Sequence, residues 1–145
     1  MDIHDFLNLV QEDKSPTQHK FSLGKISTQQ VEQIKEQMGL DLTGYEHFLE
    51  NFGIKHTLSQ HGNKKKEALR GQIAVEITDF EYVKSILEEP DKICTGFGKN
   101  KAGRELILYE KNIHEVFYYI EEIRTKNKEL ITQTLYKRKS PKNEF

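Results

Sequence analysis

Apolar residues at Ile3, Phe6, Leu7 and Val10 recur at the spacing of one helical face, which predicts a short amphipathic helix at the start of the chain. The Gln-Glu-Asp-Lys-Ser-Pro stretch after it reads as a linker, so this helix is a candidate appendage. From His19 to Ile26, Phe21 and Leu23 alternate with polar neighbours as in a strand. Ser27 can cap a following helix that carries Val31, Ile34 and Met38 and that Gly39 ends. Asp41 to Phe52 holds Tyr45, Phe48 and Leu49 without a decisive period, so strand and short helix both stay open there. Ile54 to His61 predicts a helix stopped by Gly62. Lys64 to Glu76 is polar at first and strand-like at Ile73-Ala74-Val75. Thr78 or Asp79 can then cap a helix bearing Phe80, Val83, Ile86 and Leu87, which Pro90 closes.

Beyond Pro90 the period changes to that of strands: Lys92 to Gly98, Glu105 to Lys111, Glu115 to Ile123 and Leu130 to Lys137. The glycine-bearing loop Gly98 to Gly103 and the polar turn Thr125-Lys126-Asn127-Lys128 separate them. Helices first and a meander afterwards predict an α+β domain, with N-terminal helices packed on an antiparallel sheet of about four strands. Residues 1–40 read as a helical extension, separate from or part of the same domain as residues 41–145.

Length and charge narrow the picture. A chain of 145 residues, 35% hydrophobic and 31% charged, can bury one core and not two of comparable size. The core must draw heavily on its eight Phe and six Tyr. A net charge of -1 argues against a whole-surface grip on nucleic acid, because such binding neutralises many phosphates at once. Any such contact must be local. Basic residues do cluster, at Lys64-Lys65-Lys66 and at Lys137-Arg138-Lys139 with Lys142, although a charge run is also what a solvated face looks like. The one cysteine, Cys94, excludes an internal disulfide and cannot build a thiolate metal site; it reads as a small buried hydrophobe or as a nucleophile. That usage fits a reducing, cytoplasmic setting, and no apolar run suggests a leader or a membrane span.

The residues able to do chemistry are few. His56 and His61 stand five positions apart, about 140° around an ideal helix, so they do not converge as a metal-binding pair would. The carboxylates are scattered without ligand spacing, and neither metal nor cofactor is expected. On the last predicted strand, alternation puts Thr132, Thr134 and Tyr136 on one face and Ile131, Gln133 and Leu135 on the other. Arg70 has the planar fork that holds two phosphate oxygens, with an ion pair to Glu67 as the competing use. Lys111 and Lys137 are further candidate phosphate contacts, and Tyr118 and Tyr119 are candidate base-stacking residues or core.

The order of these pieces carries a resemblance. The run from His56 to Gly62, then Glu67, Arg70-Gly71-Gln72-Ile73, the Asp79-led helix ending at Pro90-Asp91, and the final Thr134-Leu135-Tyr136-Lys137 resembles the phage-associated branch of the barnase/EndoU/colicin/RelE-like nucleases. It covers roughly residues 45–139, with Gln60 standing where the family often has a basic residue. The resemblance implies a helix-plus-antiparallel-sheet nuclease in which a helix histidine and hydroxyl residues of the last strand share a groove. It implies a metal-independent endoribonuclease that leaves a 2′,3′-cyclic phosphate, since histidine can exchange protons near neutrality. His61 and His56 would be acid and base, with Arg70, Thr134 and Tyr136 completing the catalytic set and Lys137, Lys111 and Thr132 binding RNA. Such domains are usually toxins or phage and mobile-element effectors attached to larger proteins, which implies a neutralising immunity or antitoxin partner. A chain beginning at Met1 then reads as a stand-alone protein or an excised domain. The alternative is a catalytically inactive module on the same fold that binds RNA or protein.

Overall fold

A computed structural model describes residues 1–141, so Lys142 of the terminal basic cluster lies outside the described residues. The amphipathic start of the chain forms α1 (Ile3–Glu12), capped by Asp2 in a reciprocal bond with Asp5. β1 (Lys20–Lys25) follows, then α2 (Thr28–Met38), where the Ser27 hydroxyl accepts from the Gln30 amide and Gly39 takes the left-handed turn at φ 75°. The undecided stretch is a strand, β2 (Glu46–Glu50), and it passes directly into α3 (Asn51–His61). A short helix that the sequence pattern did not predict, α4 (Lys64–Leu69), begins at the Asn63 cap. The Asp79-led segment divides into a 3-10 turn, Ile77–Tyr82, and α5 (Val83–Glu88). β3 (Lys92–Cys94), β4 (Leu106–Asn112), β5 (Val116–Arg124) and β6 (Glu129–Arg138) form the meander.

The sheet has six strands rather than about four, in the order β1-β2-β6-β5-β4-β3, and it is mixed. β2 pairs with β6 in parallel, Glu46 opposite Glu129 and Phe48 opposite Ile131, while the remaining pairs are antiparallel. The expectation of a purely antiparallel sheet fails because a strand's period says nothing about which distant edge it joins. Phe6, Leu7, Val10, Ile26, Val31 and Ile34 from residues 1–40 pack in the same apolar cluster as Ile107, Tyr109, Phe117, Tyr119 and Leu135. The opposite face of β5 and β6 carries Tyr118, Ile120, Gln133, Thr134 and Tyr136 and is only partly covered.

α3 takes over from β2 along the edge of β6, and its register there fixes the site. Four helical residues rise about 6 Å and two strand residues about 6.6 Å, so an i, i+4 row on the helix keeps step with every second strand residue. That row is Gly53, Thr57 and His61. Gly53 lies against Thr132, the Thr57 hydroxyl accepts from the Leu135 amide at 3.2 Å, and the His61 ring reaches Tyr136. Thr57 also donates to the Gly53 carbonyl at 2.8 Å, so one hydroxyl serves helix and strand together. Farther along the edge, Ile73 continues the pairing by donating to the Lys137 carbonyl at 2.9 Å.

Close approach at Gly53 allows this docking. A methyl group there would stand 2.4 Å from the Thr132 carbonyl oxygen and 2.8 Å from its Cβ. Gly53→Ala is expected to lose about 1–3 kcal/mol despite the better helix propensity of alanine, because the obstacle is strand backbone. A thermal melt lowered by about 5 °C is the expected reading, and an unchanged melt would show that α3 shifts freely on β6.

Candidate nucleic-acid active site

His61 ends α3, and the chain turns at Gly62 into α4, which folds back beneath it. This brings Glu67, fully buried, to the imidazole: His61 Nδ1 lies 3.1 Å from Glu67 Oε2. The other carboxylate oxygen accepts from Arg70 Nη1 at 2.7 Å, and the same guanidinium nitrogen donates to the Gln60 carbonyl at 2.9 Å. A buried carboxylate with both oxygens engaged is a strong orienting group. It fixes the imidazole through Nδ1 and leaves Nε2 as the nitrogen available to a ligand. The competing use of Arg70 is therefore realised, although its side chain is still about half exposed.

Tyr136 holds the other side of the imidazole. The two rings lie 5.6 Å apart at 30°, while Tyr118, directly across on β5, stacks on Tyr136 at 4.7 Å and 9°. α3 lies on one flank of β6 and β5 on the other, so Tyr136 sits between histidine and tyrosine. Arg138 covers Tyr118 with its guanidinium 5.2 Å from the ring centre, and it makes no ion pair among the described residues. Burial raises the Tyr136 phenol above its ordinary range, with neighbouring Tyr118 adding to the effect, so it is protonated at neutral pH. Burial likewise raises Tyr118, with Glu110 adding to it.

The remaining sequence candidates divide. Thr134 shares the face of Tyr136, within 3.5 Å of Thr57 Oγ1. His56 is exposed, off the row that contacts β6, and no hydrogen bond or ion pair ties it to His61 among the described residues. Thr132 is not on the face of Thr134: the register slips between Ile120 and Glu121, Gln133 becomes the extra residue of a bulge, and alternation is broken. Thr132 is 5% exposed and lies 2.9 Å from the Tyr119 hydroxyl on the core side. Tyr119 is wholly buried there and cannot stack a base. Tyr118, though on the open face, has its ring occupied by Tyr136 and Arg138.

Lys137 points to the core side, 7% exposed, with its ammonium 2.9 Å from Glu115 and 3.1 Å from Asp79. Strand alternation from Tyr136 sends it there, into a buried pairing with two carboxylates on the face away from the histidine. Lys111, on the same side, donates to the Glu89 carbonyl at 2.6 Å and also lies away from the histidine. Cys94 is a free, half-buried thiol. Two residues of the cluster were missed as site residues by sequence reasoning. Arg138 was legible by counting 134, 136, 138 along one strand face. The pairing of Glu67 with His61 had no local signal, since it depends on the turn at Gly62.

Compared with known protein families, residues 24–144 match the family described as phage-Barnase-EndoU-ColicinE5/D-RelE like nuclease3. The chain belongs to this family. The nuclease-family match spans the whole sheet except the start of β1, together with every residue of the histidine cluster. No curated protein matches the chain, and no solved structure does. Among the described residues of this nuclease-family chain, no group of three His, Cys, Asp or Glu is placed to hold a metal ion, and no helix is long and apolar enough to cross a membrane.

Proposed function

We propose that the chain is a metal-independent endoribonuclease that cleaves by attack of the 2′-hydroxyl, with His61 at its centre. The observation that carries this reading is the His61 ring held by buried Glu67 on one side and by Tyr136 on the other, at the partly open face of the sheet. His61 Nε2 takes the 2′-hydroxyl proton as the oxygen attacks phosphorus, and the positive imidazole that results is stabilised by Glu67. The Tyr136 phenol supplies a proton to the departing 5′-oxygen. Arg138, with Arg70 at the rim, faces the charge that develops on the phosphorane. The products are a 2′,3′-cyclic phosphate and a free 5′-hydroxyl. In this reading His56, Lys111, Lys137 and Thr132 take no part.

A toxin or phage and mobile-element effector, neutralised by a cognate partner protein, is the role in keeping with the family. Incubating the protein with total RNA in EDTA tests the activity: fragments ending in cyclic phosphate support it, and intact RNA at high protein concentration would sink it. Expression that is toxic for the wild type and harmless for His61→Ala is the expected result in cells. Arg138→Ala is expected to weaken RNA binding and to reduce the slope of log affinity against log salt by about one, because one phosphate contact is lost. An unchanged slope would remove Arg138 from the substrate path.

A further inference from the structure

The bulge in β6 has a chemical consequence. Because Gln133 is the extra residue, it and Thr134 both face the side of Tyr136, and strand bulges beside active sites serve to re-aim side chains. Gln133 lies three residues from Tyr136, roughly 7–10 Å along the strand. Its amide does not swing freely. Asn100 Nδ2 donates to Gln133 Oε1 at 3.1 Å and to Glu122 Oε1 at 2.5 Å. Asn100 Oδ1 in turn accepts from the amides of Ala102 and Arg104, at 3.1 and 3.0 Å. Every hydrogen-bonding position of Asn100 is therefore used inside the protein. The loop that carries it is shaped by Gly98 and Gly103, whose φ angles of 139° and 78° favour glycine. Glu122 is itself held by Arg104 and Arg124. At the end of this chain of bonds the half-exposed Gln133 Nε2 makes no hydrogen bond among the described residues.

We propose that Gln133 is a base-selecting residue, fixed by Asn100, that donates from Nε2 to O6 of a guanine or O4 of a uracil next to the cleavage site. The amino group that adenine or cytosine presents at the same place would meet a donor instead of an acceptor, which disfavours those bases. The inference rests on the proposed ribonuclease reading for the identity of its substrate, but its test does not require cleavage.

Short fluorescein-labelled RNAs that differ at one base are titrated into His61→Ala protein and into the same protein carrying Gln133→Glu or Gln133→Met. The parent is expected to bind the guanine and uracil forms about tenfold more tightly than the adenine and cytosine forms. Gln133→Glu exchanges the donor for an acceptor while keeping the bond from Asn100, and it is expected to reverse the order. Gln133→Met is expected to flatten it, with a melting temperature near that of the parent. Equal binding of all four bases by the parent, or a preference that survives both substitutions, overturns the proposal. Loss of cleavage by wild-type protein with base preference intact would overturn the nuclease reading and leave this one standing.

Discussion

His61→Ala is expected to lower RNA cleavage by about 10²–10⁴-fold, the usual contribution of a positioned proton-transfer group. The histidine is the only imidazole on the helix row that meets β6, and its Nδ1 is already committed to Glu67 at 3.1 Å. Removing it strips one partner from a carboxylate that is fully buried, so alanine also affects stability. His61→Asn separates the two effects: its amide can still donate to Glu67 but offers no titratable nitrogen. Both variants should be inactive, and asparagine should melt closer to wild type. His56→Ala, at an exposed position outside the cluster, should stay within about twofold of wild-type rate. Glu67→Gln should reduce kcat with little change in KM, because it keeps the shape and removes the charge that stabilises the imidazolium. Single-turnover cleavage of a defined RNA measures the histidine variants and steady-state kinetics on the same RNA measure Glu67→Gln; substantial activity in both His61 variants would overturn the assignment.

Local pattern revealed the elements better than their neighbours. Ser27 and Gly39 marked α2 because caps act within one turn, and the alternation of β4 to β6 marked a meander because its strands pair in sequence. β2 remained ambiguous with only five residues, and its parallel partner is some 80 positions away, beyond the reach of any local signal. The bulge at Gln133 shows a different limit. A period of two correctly groups Thr134 with Tyr136 but wrongly adds Thr132, since one inserted residue reverses the faces on its far side. His61 was legible as a histidine beside a helix-ending glycine. Its distinction from His56 was not, because that depends on the step shared by α3 and β6.

Lys137→Met is expected to cost about 3–5 kcal/mol of stability while leaving RNA cleavage by the folded protein unchanged. The ammonium lies between Asp79 and Glu115, and Asp79 Oδ2 also accepts from the Glu76 amide at 2.8 Å. Taking away the lysine leaves a 6% exposed carboxylate without its counter-charge, which costs more than the ion pair itself contributes. The melting temperature should fall by roughly 10 °C or more. Burial alone would lower the lysine's pKa, but the hydrogen bonds to Glu115 and Asp79 outweigh it and raise the value. A raised pKa stabilises the fold fully below the unfolded lysine value of about 10.4, and that contribution is lost as pH rises through the folded value. The melts of wild type and variant should therefore differ by a constant amount near neutrality and converge only in strong alkali. Asp79→Asn added to Lys137→Met should recover part of the loss by removing the stranded charge. A variant as stable as wild type but with weakened RNA binding would return Lys137 to the phosphate path, against the strand alternation that places it on the core side.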